Sequence, residues 1–382
     1  MGAVDRGPLA DGLAFKVPGL GQIEVAGFIG KGGMGYVYDV FAKRMFVRER
    51  LALKLHMPMA VTPDRWRALE QMVRRPPVKH PNLCYPLGTG IAPNGWHFHV
   101  MRNESAMADV SDLLDGRVCK RTGKLAPRIY HAVLVGEQMC DAFMAMHRAD
   151  PPVTFADINP GNCKFSEETC ATRLLDCENM RRMSEDVDYA LYHPDFGAPE
   201  LMITTLGGSV VRNSPVTDAF SLAKILYRML VLDDPFHGRL VEEYARRTGE
   251  QRNEVLYGLG PERRGPVFQF SQRDQRNAPL RSETIEYWRE LPALARAAFH
   301  EDFTCGVWDP EKRHHAGAWR EVMSYLRTCL AACHHCGEVR LVDAAEALAV
   351  GGWVHCRWCG NSWKPPIKRS SSGTASLKRR LV

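Results

Sequence analysis

Five groups of residues in the chain have types and spacings suited to handling phosphate and metal ions. The run Gly30-Lys31-Gly32-Gly33-Met34-Gly35-Tyr36-Val37 is rich in glycine, and lacking side chains there would let backbone N–H groups approach phosphate oxygens. Alone, the run reads equally well as a glycine-rich hairpin. A dinucleotide fold would need a helix to start at the glycines, whereas Val37-Tyr38-Asp39-Val40 has strand character. Lys54 sits inside the apolar stretch Leu51-Ala52-Leu53-Lys54-Leu55. A buried lysine needs a partner, and Glu70, sixteen residues on, is the expected one; an edge-strand lysine facing solvent is the plain alternative. Asp157-Ile158-Asn159-Pro160-Gly161-Asn162 combines turn chemistry with an Asp and an Asn five residues apart. Asp157 could orient a hydroxyl, while Asn162 and Asp176, which ends the apolar Arg173-Leu174-Leu175, could hold Mg²⁺. Together these groups suit phosphoryl transfer, whose catalysis is mostly positioning and charge neutralisation.

A separate chemistry lies near the end of the chain. Cys333-x-x-Cys336 and Cys356-x-x-Cys359 are nineteen residues apart, and a glycine follows each pair (Gly337, Gly360). Two such knuckles can place four thiolates around one tetrahedral Zn²⁺, a closed structural site. With four cysteines available, His334, His335 and His355 are expected to be bystanders. Trp353, Trp358 and Trp363 are expected to form the module's core, with any exposed ones free to meet a partner. The other eight cysteines (Cys84, Cys119, Cys140, Cys163, Cys170, Cys177, Cys305, Cys329) share no spacing, which fits a reducing compartment better than a disulfide framework.

The elements that must position these residues follow from periodicity. Residues 23–61 read as short strands broken by glycines. Residues 64–75 read as a helix with Trp66, Leu69, Met72 and Val73 on one face, and a further strand surrounds Trp96 to Met101. From about residue 128 the pattern is helical, notably Ile129 to Met146 and Ala219 to Leu232. A β-rich first part and a helical second part suggest an α+β fold of two lobes. No function is assigned to residues 239–290.

The order of the groups is more specific than any one of them. Glycine loop, strand lysine, helix glutamate, Asp…Asn loop and strand-end Asp follow one another as they do in protein kinases, and from about residue 22 to 328 the chain resembles a bacterial Ser/Thr protein kinase. His80-Pro81-Asn82-Leu83, Gly197-Ala198-Pro199-Glu200, Asp218-Ala219-Phe220-Ser221-Leu222 and Asp309-Pro310-Glu311-Lys312-Arg313 resemble further family motifs. The resemblance implies a bilobal kinase fold and transfer of the γ-phosphate of ATP to Ser or Thr of a protein substrate. Lys54, Glu70, Asp157, Asn162 and Asp176 would be the catalytic set. Gly30, Lys31, Gly32, Gly33, Met34, Gly35, Val37, Lys54 and Met101 would contact ATP, and Asn162 and Asp176 would hold Mg²⁺ or Mn²⁺. It also implies a buried ion pair between Glu200 and Arg313. Three departures stand out. Phe155-Ala156 replaces His-Arg, Asn159 replaces the loop lysine, and Asp176-Cys177-Glu178 replaces Asp-Phe-Gly. The form Asp-Ile-Asn-Pro-Gly-Asn is similar to a divergent bacterial group that includes YegI-like and tellurite-resistance-associated kinases. Loss of the loop lysine is what favours the alternative, a pseudokinase or scaffold that only binds nucleotide and partners.

Composition bounds the rest. Of 382 residues, 45% are hydrophobic and 25% charged, which argues against a disordered or fibrous chain. No run approaches the roughly 18 apolar residues of a membrane span, and no signal pattern opens the sequence, so a cytoplasmic protein with no membrane partner is expected. Lys364, Lys368, Arg369, Lys378, Arg379 and Arg380 account for the whole formal charge of +6. That tail suits a protein or nucleic-acid partner and equally a solvated end. The expected organisation is an N-terminal segment (1–21), a β-rich lobe (22–103), a helical lobe (104–328), a zinc ribbon (329–364) and a disordered basic tail (365–382).

Overall fold

The computed structural model describes residues 5–44, 47–115, 128–184, 191–204, 211–249 and 266–365. The fold is mixed α and β, and the chain divides into two units. The first comprises residues 1–108 and 173–180, the second residues 109–172 and 181–382.

The first unit is built on a six-stranded antiparallel sheet. Its strands are β1 (Ala14–Val17), β2 (Gly21–Gly32), β3 (Gly35–Arg44), β4 (Val47–His56), β5 (Gly88–Ile91) and β6 (His97–Arg102), in spatial order β1-β2-β3-β4-β6-β5. Side chains alternate along each strand. Tyr36, Tyr38, Val40, Leu51, Leu53, Leu55, Phe98 and Val100 therefore share one face, which is the core. The sheet curls until Gly88 on one edge packs against Val17 and Leu20 from the other. It begins earlier than the expected residue 22. Ala14–Val17 pairs in register with Gly21–Glu24, and Val17 and Leu20 enter the core, so residues 14–21 belong to the sheet. Helix α1 (Pro63–Arg74) matches the helix expected over 64–75. Thr62 caps it, a proline opens it, and Leu69 and Met72 are its buried residues.

The second unit is helical. Among the described residues its helices are α2 (Val110–Leu114), α3 (Arg128–His147), α4 (Pro199–Thr204), α5 (Pro215–Val231), α6 (Arg239–Thr248), α7 (Ser282–Glu290), α8 (Ala293–Thr304), α9 (Ala316–Thr328) and α10 (Ala344–Ala349). Helix α5 is buried nearly all round, which marks it as the centre of the unit, and a capping box between Ser214 and Thr217 starts it. Helices α3 and α5 match the expected 129–146 and 219–232. Two small hairpins follow α9: Leu330–Ala332 pairs with Val339–Leu341, and Val354–His355 pairs with Ser362–Trp363. The basic tail beyond residue 365 lies outside the described residues, as does Cys119. Among the described residues no helix is long and apolar enough to cross a membrane.

Candidate functional site

In the first unit, strand register gathers the sequence-predicted residues on one face of the sheet. Val37 pairs with Gly30 on one side and with Lys54 on the other, and Lys54 pairs with His99. Two residues along, Asp39 pairs with Ala52 and Ala52 with Met101. Residues directly opposite one another point to the same side, so Val37, Lys54, His99, Ala52 and Met101 share the face turned away from the apolar core. Gly33 and Met34 form the turn between β2 and β3. The Met34 carbonyl accepts from the Met57 amide at 3.0 Å, which ties the turn to the end of β4. Gly35 is there for closeness, because a Cβ would lie 2.1 Å from the Leu55 carbonyl oxygen. Gly30, Gly32 and Gly33 border open space instead. Lys31 is held by Asp5 at 2.9 Å, away from the turn it neighbours.

The Lys54 side chain is largely buried, 12% exposed, and its ammonium meets two carboxylates: Asp176 at 2.9 Å and Glu178 at 2.6 Å. Burial alone would pull its pKa down, but Glu178 and then Asp176 more than offset this and hold it above the ordinary lysine value. Glu178 is itself buried, and its carboxyl stays ionised because the Lys54 ammonium outweighs the desolvation. The expected partner, Glu70, is not the one observed. On α1 its carboxylate accepts from the Trp66 indole N–H at 3.0 Å, one helical turn away. Arg65 of the same helix reaches Asn179 at 2.9 Å, so α1 is fastened to the turn carrying Glu178.

The backbone explains how two carboxylates two residues apart meet one lysine. The Leu174 amide donates to the Asn82 carbonyl at 2.7 Å and the Cys84 amide to the Leu174 carbonyl at 2.9 Å, which fixes the strand end. Asp176 then adopts the left-handed conformation, φ 55° and ψ 31°, and a short 3₁₀ turn (Cys177–Asn179) follows. Asp tolerates that region better than most residues. Cys177 between them is fully buried and inert, its thiol pKa raised well above the usual range by burial.

Below Lys54, on the same sheet, His56 Nε2 and His99 Nδ1 lie 2.9 Å apart, both buried. Burial, and for His56 the neighbouring His99 as well, lowers their pKa values to about 3 and about 4. Both are neutral imidazoles sharing one hydrogen bond. Nothing in the sequence pattern singled out this pair.

In the second unit, the loop carrying Asp157 is locked in a strained form. Ala156 has φ 69°, a conformation costing an L-residue about 1–2 kcal/mol. Asp218 of α5, 1% exposed, holds it in place by accepting the Phe155 amide at 2.7 Å and the Ala156 amide at 3.2 Å. His147 approaches the same carboxylate at 3.3 Å. Beyond the kink, the Asn159 side chain accepts from the Gly161 amide at 3.0 Å, and Asn162 donates to the Asp157 carbonyl at 3.1 Å. The loop is thus built by its own backbone and side-chain amides. The Asp157 carboxylate has no hydrogen-bond donor among the described residues, so it keeps its full capacity to accept. Backbone strain of this kind persists only where the surrounding structure over-determines it, as Asp218 does here. Glu200 and Arg313 form the expected ion pair, bidentate at 2.7 and 2.8 Å.

The four predicted zinc ligands converge. The sulfurs of Cys333, Cys336, Cys356 and Cys359 all lie within 4.8 Å of one another, with 3.9 Å from Cys333 to Cys359 and 3.7 Å from Cys336 to Cys356. Zn–S bonds of about 2.3 Å in a tetrahedron require sulfurs about 3.8 Å apart, so the donor set and its spacing fit a Zn²⁺ ion. Gly337 and Gly360, at φ 77° and 72°, close the two knuckles. Only Trp363 is in the module's core. Trp353 and Trp358 are 56% and 68% exposed, because so short a pair of hairpins encloses room for one indole. The module docks on the helical unit, with Arg340 reaching Glu290 at 2.8 Å, Arg357 reaching Glu286 and Glu290, and Glu346 accepting from the Ala293 amide at the start of α8.

No protein-family model matches the chain, and no curated protein matches it. A functional reading therefore rests on the residues and their geometry.

Proposed function

We propose that the chain is an ATP-dependent protein kinase of divergent type that transfers the γ-phosphate to Ser or Thr hydroxyls. The observation that carries this reading is Lys54: a largely buried cation held by carboxylates, on the sheet face that also bears Gly30, Val37 and Met101, beside a glycine turn open to space. Such an ion pair is a poor device for stability alone, and it fixes in place a cation that phosphate oxygens could meet.

In this reading Lys54 binds nucleotide phosphates, and the backbone amides of the 30–35 turn add further donors. Asp176 in the first unit and Asn162 in the second each carry an oxygen of the kind that Mg²⁺ or Mn²⁺ prefers, and a bound ion would neutralise phosphate charge. Asp157, with its carboxylate free among the described residues, accepts the proton of the attacking hydroxyl or orients it. Asn159 supplies no charge, so turnover is expected to be slow. That same substitution supports the second reading, a nucleotide-binding scaffold without transfer, in which the zinc module serves as a structural or docking element.

The test is nucleotide binding followed by transfer. Mg·ATP should raise the melting temperature of the parent, since a ligand bound only by the folded state stabilises it, and Lys54→Ala should abolish the shift. A parent that does not shift at millimolar ATP overturns both readings. A parent that shifts but incorporates no phosphate into itself or a generic substrate favours the scaffold.

A further inference from the structure

We propose that Glu178, and not the helix residue Glu70, is the carboxylate that positions Lys54 for nucleotide phosphates, leaving Asp176 as the more accessible acid for the metal ion. The inference rests on the functional reading above and adds to it the residue that orients the lysine.

Four observations carry it. Glu178 makes the shorter contact with Lys54, 2.6 Å against 2.9 Å for Asp176. Its side chain is 3% exposed, whereas that of Asp176 is 27% exposed, so Asp176 is the one of the two that solvent and solutes reach. Glu70 is engaged by the Trp66 indole on its own helix. The Arg65–Asn179 bond fastens that helix to the Glu178 turn, so the arrangement of lysine, turn and helix is one connected set within the first unit.

The chemistry explains why two acids are useful here. A lysine that must point at phosphate needs a permanent anionic partner, or its long flexible stem samples other rotamers and the ammonium is misplaced. A metal ligand must instead be free to exchange its partner for the incoming ion. A single carboxylate cannot do both, and Asp176-Cys177-Glu178, turned by the left-handed Asp176, presents one for each task.

The test measures the dissociation constant of Mg·ATP by calorimetry on the full chain, and the KM for ATP where transfer is detectable. The variants are Glu178→Gln, Glu178→Asp and Glu70→Gln, with Lys54→Ala as reference. Glu178→Gln should weaken Mg·ATP roughly 10- to 100-fold, the scale on which a misplaced binding group is felt. Glu178→Asp, which restores the charge on a shorter arm, should recover part of that loss, and Glu70→Gln should stay within about twofold of the parent. A general structural defect would not be rescued by the shorter acid. Should Glu178→Gln fail to fold, Glu178→Asp and Glu70→Gln decide: weakened Mg·ATP binding in Glu178→Asp with parent-like binding in Glu70→Gln supports the inference. Parent-like binding in Glu178→Asp with weakened binding in Glu70→Gln overturns it. It is likewise overturned, alone, if Glu70→Gln loses binding as Lys54→Ala does while Glu178→Gln binds like the parent. If Lys54→Ala itself binds Mg·ATP like the parent, the functional reading falls and this inference falls with it.

Discussion

Replacing Glu200 by Gln isolates one buried interaction whose cost can be worked out in advance. The Arg313 side chain is fully buried, and its guanidinium holds Glu200 through two bonds of 2.7 and 2.8 Å. Removing one partner of a buried pair costs about 3–5 kcal/mol, because the remaining charge is stranded. Two features reduce the figure here. Arg313 still donates to the carbonyls of Gly306 at 2.6 Å and Val216 at 3.2 Å, and Glu200 is 21% exposed, so water can reach the edge of the pair. The expected loss is therefore about 2–3 kcal/mol. For a unit of this size each kcal/mol moves the melting temperature by about 2–4 °C. Glu200→Gln should thus lower the melting of the helical unit, followed by far-UV circular dichroism, by roughly 5–10 °C. Adding Arg313→Met should return much of the loss, since an apolar pair leaves no stranded charge. A shift under about 1 °C, or a double variant no more stable than Glu200→Gln, would refute the claim that this pair clasps α4 to the Pro310–Lys312 turn.

Other outcomes follow from the same geometry. Asn159→Lys should lower any transfer activity, because the Asn159 side chain accepts the Gly161 amide and builds the loop; a rise would show that missing charge is the only deficit. Cys356→Ser with Cys359→Ser should reduce bound zinc from one per chain to none by elemental analysis. It should also lower the melting of the helical unit, whose α8 begins on Glu346; retention of full zinc would refute the ligand set. The folded sheet keeps His56 and His99 neutral down to about 3 and 4, while the unfolded chain takes up protons near 6.5. Stability from this pair is therefore complete above pH about 6.5 and is lost as pH falls towards 4. The urea midpoint should drop between pH 7.5 and 5, and drop less in His56→Gln/His99→Gln; an equal drop in both would remove the pair as the cause.

Much of the local structure was legible in the sequence because it depends on neighbours. Helix α1 announces itself by Thr62, Pro63 and the spacing of Leu69 and Met72, and the cysteine knuckles by C-x-x-C followed by glycine. The partner of Lys54 was not legible, because it depends on distance across the fold. Glu70 stood on the right kind of helix, but rotation about the helix axis decides where a side chain points, and Trp66 one turn earlier claims it. The observed partner left only a faint sign, a glutamate where the resembled family has glycine, and its reach to Lys54 depends on the left-handed turn at Asp176. Asp218 sits in a stretch that resembles a family motif, and nothing local signals that it also braces Phe155 and Ala156 some sixty residues away in sequence. The tryptophans of the zinc module were over-assigned to its core for a similar reason: composition marks them as apolar without saying how little volume two short hairpins enclose.

Phosphoryl transfer by this chain can be read by incubating it with γ-labelled ATP and Mg²⁺ or Mn²⁺ and counting label on the protein and on a generic Ser/Thr substrate. The proposed function requires slow but measurable incorporation in the parent, on the order of 10²- to 10³-fold below a site that kept its loop cation, and none in Asp157→Asn or Asp176→Asn. Parent protein that binds ATP yet incorporates no more label than Asp157→Asn, with both metals, would contradict it.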